Sequence, residues 1–557
     1  MKLKYSYFAL LLAGSILSTT ACKNSFLDEV PLDFMGADNA LVSLSDYNTS
    51  INNLYDLVRL EFYSNGQDFP MDYIYGTDLV FDGQPHQRRF STYTTVMVAQ
   101  GATGIPQKHW NSLFKIVSES NIVLSRLAES SLSEDEKVLV EAKAKFFRAF
   151  AYRTLAYLYG GVPLVLEEVS TPRFDFVRAT KQEVFDQVIV DLEYAVAHLP
   201  AINEVVKGEI HQLAAAHLLS EVYLADEQFD KAIEAASLVI DNPHTGLMDH
   251  RFGTRANETP GDVYWDLFRK GNQNDVANTE SLWVIQFETD VPGGSSVVAD
   301  FVGSPVYERH HAPNFGVFKL KDGTNPFLWP VGDYTGGRGI GWAISTKYFS
   351  NSIWESDFDN DMRNANHNFV REFVANNPES EHYGEVFSTE NPPEGITVPT
   401  REFYAYQSKV TTPNNHPENL YIDKAKLLLN NTAGGTYTDQ YMFRLAETYL
   451  IRAEAYLGLN DLSKAAADIN VVRARAHASA VLPEQVTLDY ILDERMRELG
   501  VEEKRRLTLM RLGKLYDRVS RFNPYYDDIQ PFHNLFPIPQ AEIERNREAV
   551  LTQNEGY

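Results

Sequence analysis

The chain has 557 residues, 44% hydrophobic and 23% charged, the balance of a folded globular protein with several domains' worth of core. A formal charge of -26 argues against nucleic acid as a partner, because phosphates need a basic footprint. It equally argues against docking on anionic headgroups through a polybasic patch.

Met1-Lys-Leu-Lys4 is a short basic start, followed by an apolar run from Tyr5 to Leu17 and then by Ser18, Thr19, Thr20 and Ala21. This is the layout of a secretory signal over residues 1–21, with an apolar run short of the roughly 20 residues a membrane span needs. Cys22 follows at once and is the chain's single cysteine, so it cannot close an internal disulfide. Its position predicts the acylated first residue of a bacterial lipoprotein. Acyl chains at about 0.8 kcal/mol per buried CH2 would anchor it without a transmembrane helix. Residues 22–44 then serve as lipidated N-terminus and tether.

Ile51, Leu54, Tyr55, Val58 and Phe62 fall at helical spacing, which opens a helical part predicted over residues 45–241. Gly, Pro, Asp and aromatic residues interrupt it as a loop near 63–104. Helical periodicity returns at Trp110 and again from Glu136 to Tyr159, where Gly160-Gly161-Val162-Pro163 stops it. Two later segments repeat one another. Ser220, Tyr223, Phe229 and Ala232 are spaced by three, six and three, as are Ala453, Tyr456, Leu462 and Ala465. A small residue at a helix crossing, an aromatic one turn on and Ala in the next helix describe a tetratricopeptide-type hairpin. Such hairpins bury their apolar faces only by stacking on neighbours. Residues 242–440 show little helical period, with apolar pieces such as Leu282 to Phe287 reading as short strands, and residues 441–557 hold the second hairpin. The predicted fold is mostly α: a tetratricopeptide-like scaffold with a large irregular, loop-rich lobe that contains short strands.

The charged clusters read as structural. Glu447, Arg452, Glu454, Arg473 and Arg475 belong to one hairpin and predict interhelix ion pairs. Glu494, Arg495, Glu498, Glu502 and Arg505 have the three-to-four spacing of helix-surface pairs. Asp357, Asp359 and Asp361 open like a calcium loop, but Met362 and Asn368 stand where it needs Gly and Glu. The Gly336 to Gly341 run puts Trp342 where a dinucleotide loop needs Gly. Arg309-His310-His311 lacks further ligands at zinc spacing. No catalytic residue, metal or cofactor is predicted.

Sugar rings present apolar C–H faces beside hydroxyl edges, so a binding site needs aromatic platforms flanked by polar groups. Two loop regions offer that mixture: Tyr73, Tyr75, Asp78, Phe81, Arg88 and Arg89 in the first, Phe327, Trp329, Tyr334 and Arg338 in the second. Trp110, Trp265 and Trp283 sit in apolar periodic contexts and are expected in the core.

Several blocks then carry a resemblance over nearly the whole chain. They are Phe26-Leu27-Asp28 with Pro31; Arg148-Ala-Phe-Ala-Tyr152 running on to Tyr159-Gly-Gly-Val-Pro-Leu164; Asp191-Leu192; Arg444 to Ala455; Ile469-Asn470 with Arg473; Ile491 to Arg495 with Glu498; Phe536-Pro-Ile-Pro539; and Gln553-Asn554. In these the chain resembles the SusD/RagB family of nutrient-uptake outer-membrane lipoproteins. The resemblance implies a helical scaffold with a loop-rich ligand face and no catalysis. It implies a lipid-anchored protein at the outer membrane, facing outward, that passes oligosaccharide to a SusC-like TonB-dependent barrel. Three alternatives stay open: peptide uptake of the RagB kind, a surface glycoside hydrolase, and an adaptor recognising protein tails.

Overall fold

A computed structural model describes residues 41–64, 69–84, 90–100, 104–291 and 305–557. Its helical scaffold begins with α1 (Leu44–Arg59), opened by a reciprocal capping box between Ser43 and Asp46. α2 (Ile105–Leu127) and α3 (Glu134–Tyr159) follow, the latter capped by Ser133 and Glu136 and ended by Gly160 at φ 75°. α4 (Lys181–His198), α5 (Gln212–Ala225) and α6 (Phe229–Ile240) complete the first run, and α7 (Leu445–Gly458) and α8 (Leu462–Arg475) form the second hairpin. α9 (Leu488–Glu498), α10 (Arg505–Arg511) and α11 (Leu515–Phe522) close the scaffold. The mostly helical, tetratricopeptide-like reading is borne out.

The repeat holds bond for bond. Glu227 and Asn460 occupy the same place in each turn and both take a left-handed φ, 59° and 58°. Behind them Gln228 N donates to Tyr223 O at 2.8 Å, and Asp461 N donates to Tyr456 O at 2.9 Å. This six-to-one closure satisfies helix carbonyls that would otherwise lack donors. Ser220, Ala232, Ala453 and Ala465 are fully buried where the helices cross, as their small size requires.

Residues behind the sequence resemblance act as ties. Arg148 grips Asp191 with two bonds of 2.8 and 2.9 Å, which joins α3 to α4. Asn554 Nδ2 donates to the carbonyls of Tyr159 and Phe536, which fastens the C-terminus across the end of α3.

The irregular lobe contributes short antiparallel pairs. β1 (Val80–Asp82) pairs with β3 (Ala343–Ser345), and β2 (Ser281–Ile285) pairs with β4 (Gln440–Arg444). Trp283 on β2 is packed by the edges of Tyr55, Phe146, Phe147 and Phe150, so β2 is held in the core of the scaffold. Trp110, Trp265 and Trp283 are all buried, as expected.

One expectation is corrected. Glu494, Arg495, Glu498 and Arg505 are not surface pairs along a helix; all four are buried. Their partners come from distant chain. Arg363 meets Glu494 and Glu498 at 2.8 and 3.0 Å, and Arg444 meets Glu498 at 2.7 Å. Arg473 bridges Asp357 and Glu494 at 2.6 and 2.7 Å. A buried charge is tolerated only when paired and hydrogen-bonded, and this network joins the lobe to the helices. Among the described residues no helix is long and apolar enough to cross a membrane.

Candidate ligand-binding face

The face is built on the loop from residue 327 to 342. Trp329 is half-exposed, and its Nε1 donates across the loop to the Gly339 carbonyl at 3.0 Å, which fixes the ring. Gly316 packs against the indole; a Cβ there would lie 2.9 Å from it, so glycine makes the close approach possible. The Arg338 guanidinium lies 5.8 Å from the Trp329 ring centroid.

Two residues past Arg338, the chain runs as an edge. Ile340 N donates to Arg309 O at 2.9 Å, Trp342 N to His310 O at 3.0 Å, and Gly83 N to Trp342 O at 2.8 Å. Trp342 therefore continues the β1–β3 ladder with its orientation set by backbone bonds on both sides, while its side chain is half-exposed. The Arg309 guanidinium stands 5.3 Å from its ring centroid. Arg401 Nε donates to Ile340 O at 2.7 Å, which brings a further guanidinium to the same segment. Gly341, at φ 61°, passes so close to the Arg401 carbonyl that a Cβ would collide with it. Beside this edge, Phe81 stacks on the half-exposed Tyr525 at 3.6 Å between centroids. Burial pushes the Asp82 carboxyl up to about 7, so it carries only part of its charge at neutral pH.

The chemistry available is that of recognition. Indole and phenol rings offer flat apolar faces, and guanidinium N–H groups reach hydroxyl or acidic oxygens around them.

Of the residues expected on this face, Trp329, Tyr334 and Arg338 share the half-exposed loop. Five expectations are corrected. Phe81 is buried, its ring covered by Tyr525. Tyr73 is buried, stacked on Phe62 at 4.9 Å and donating its hydroxyl to Glu61. Tyr75 is buried too. Phe327 sits in an aromatic cluster with Phe315, Phe318 and Phe387. Asp78 is wholly buried and accepts from Arg505 at 2.8 and 2.7 Å and from Arg518 at 2.8 Å. Arg88, Arg89 and Cys22 lie outside the described residues. Trp342, Arg309, Arg401 and Tyr525 were missed. The weak signal for Trp342 was the apolar Ile340, Trp342 and Ile344 at alternate positions, which is strand spacing.

The two guanidiniums hold the Asp78 carboxyl down, from the ordinary 3.8 to about 2. Its folded value lies below its unfolded one, so the stabilisation is full above 3.8 and is lost as pH falls toward 2. Asp78→Asn is expected to cost about 3 kcal/mol or more in chemical denaturation, since it leaves two buried cations short of a partner. Unchanged stability with weakened ligand binding would instead place Asp78 at the ligand.

Comparison with known proteins agrees with this architecture. Residues 317–557 match the family model described as the SusD family, and residues 39–224 match one described as starch-binding associating with outer membrane. SusD-like protein P25 of Formosa agariphila is 24% identical over 97% of this chain and 98% of its own. A laminarin-binding SusD-like protein superposes with a TM-score of 0.65 at 20% identity, covering 92% of this chain and 99% of its own. Surface glycan-binding protein A of Bacteroides thetaiotaomicron, solved with laminarihexaose, gives 0.64 at 18% identity, covering 92% and 99%. Two family models between them take in most of the chain, and with that scaffold the protein belongs to the SusD/RagB family.

Proposed function

We propose that the protein binds oligosaccharide on the loop from 329 to 342 and holds it for uptake without cleaving it. The observation that carries this reading is the pair of half-exposed indoles, Trp329 and Trp342, each with a guanidinium beside its ring. Two fold neighbours whose names state laminarin or laminarihexaose as ligand support it. A glycan array probed with protein lacking residues 1–22 tests it. Binding to at least one oligosaccharide is expected, with no new reducing ends on prolonged incubation; release of reducing ends would favour a hydrolase.

The same reading anchors the mature chain at Cys22 in the outer membrane, facing outward over a SusC-like TonB-dependent barrel. Mass spectrometry of the native protein is expected to find its mature N-terminal cysteine acylated, and copurification to bring down a barrel. An unmodified Cys22 thiol on a protein free in the periplasm would contradict the anchor. A second reading, peptide binding, has one observation in its favour. A groove of about 760 Å³ lies along α4 to α6, lined by Val196, Leu219, Tyr223 and Leu238. It predicts binding of extended peptides that is indifferent to changes at Trp329 and Trp342.

A further inference from the structure

The glycan reading above can be taken one step further, to the charge of the glycan. Elsewhere in the molecule many buried guanidiniums meet a carboxylate directly, although Arg153, Arg269 and Arg371 each leave one nitrogen without an acceptor. Arg363, Arg444, Arg505, Arg511 and Arg518 each meet a carboxylate oxygen at 2.6–2.7 Å. Arg506 is satisfied by the carbonyls of Asp72 and Tyr75.

The ligand face departs from that pattern. Arg338 is half-buried with no ion pair or hydrogen bond among the described residues, and its Nε is buried without an acceptor. Arg401 spends Nε on the Ile340 carbonyl, and its terminal nitrogens make no hydrogen bond or ion pair among the described residues. Glu402 and Asp82 act on Arg401 only through space, and burial lowers the proton affinity of both guanidiniums. A half-buried cation without a counter-charge is costly. In a chain of formal charge -26, Arg338 on this loop and Arg401 bonded to its Ile340 carbonyl, neither in a direct ion pair among the described residues, do not follow from composition.

We infer that the face takes an anionic glycan, with Arg338, beside Trp329, and Arg401, bonded to the Ile340 carbonyl two residues before Trp342, each receiving a carboxylate or sulfate on a sugar whose ring covers an indole of the face. Carboxylate and sulfate share the chemistry that a guanidinium fork recognises, two acceptor oxygens in one plane. The inference rests on the glycan reading, and its test separates the two.

Calorimetric titration of the mature chain without its lipid would use three probes: neutral laminarihexaose, hexagalacturonate, and a sulfated carrageenan oligosaccharide of similar length. At low salt at least one acidic probe is expected to bind about tenfold tighter than laminarihexaose. Its advantage should shrink as salt rises past the point where exposed charges are screened. Arg338→Gln and Arg401→Gln are each expected to weaken the acidic probe by about tenfold and laminarihexaose by distinctly less, with unfolding temperature unchanged. Which acidic probe binds tells carboxylate from sulfate. Laminarihexaose binding as tightly as both acidic probes, insensitive to salt and to the two arginines, would overturn the anionic class and leave the glycan reading standing. Binding by none of the three would overturn both.

Discussion

Trp342→Ala is expected to weaken oligosaccharide binding by about ten- to a hundredfold with the fold intact. The indole is held in place by backbone bonds on both sides, Trp342 N to His310 O and Gly83 N to Trp342 O, so the platform is preformed and little ordering is needed on binding. A sugar ring laid on it removes apolar surface from water at about 25 cal/mol per Å², and a well-placed aromatic contact adds about 0.5–1.5 kcal/mol. The sum, about 1.5–3 kcal/mol, sets the expected fold-change at 1.4 kcal/mol per decade. The side chain is only partly buried, so truncation should cost less stability than removing a core tryptophan, about 3–5 kcal/mol. Trp342→Phe should keep much of the affinity. Tyr73→Phe is the matched control: that ring is inside the protein, and its loss of one hydroxyl should leave affinity as it was. Calorimetric titration of the four proteins with the best-binding oligosaccharide checks this, and equal affinity for Trp342→Ala and wild type would move the site elsewhere.

The largest effect on stability is expected at Glu498. Its carboxylate accepts from Arg363 at 3.0 Å, from Arg444 at 2.7 Å and from Arg475, all inside the protein. Those three guanidiniums hold its carboxyl far below the usual glutamate range. Glu498→Gln keeps the shape and removes the charge, which leaves the cations in excess in a medium where water cannot compensate. Breaking a buried pair from one side costs about 3–5 kcal/mol, a large share of the 5–15 kcal/mol that holds a typical protein folded. The variant should express poorly or unfold far below wild type in a denaturant titration. Its pH behaviour follows in sign. The folded carboxyl is depressed, so its stabilisation is complete above the ordinary value of 4.5 and is lost only on strong acidification. Lys137→Ala, in an exposed pair with Glu134, should stay within about 0.5 kcal/mol of wild type.

The network also links the lobe that carries the face to distant parts of the scaffold. Glu498 lies at the end of α9, Arg444 on β4 and Arg475 at the end of α8, while Arg363 belongs to the irregular lobe. One carboxylate thus ties the lobe that presents Trp329 and Trp342 to three parts of the scaffold. A variant weakened there should lose affinity as well as stability, whereas Trp342→Ala separates the two.

The helical frame was legible because its signals are local. The three-six-three spacing of Ser220, Tyr223, Phe229 and Ala232 recurs at Ala453 to Ala465, and each hairpin closes within its own turn at Glu227 or Asn460. The ligand face was legible only in part. Trp329, Tyr334 and Arg338 stand out in a Gly- and Pro-rich loop, but loops carry no period that separates inward from outward side chains. Asp78 is buried by Arg505 and Arg518, which lie 427 and 440 residues further along the chain. Trp342 takes its place from Gly83 through a ladder only a few residues long, too short to register as a strand pattern. The charged clusters are structural, as their spacing predicts, but their burial depends on partners such as Arg363 and Glu280 that no local spacing names.

A crystal structure of the protein with its best-binding oligosaccharide tests the central claim most directly. The account predicts an uncleaved chain of sugars lying across Trp329 and Trp342, with the guanidiniums of Arg338 and Arg401 at its polar edge. Sugar lodged instead in the groove along α4 to α6, or found hydrolysed, would contradict it.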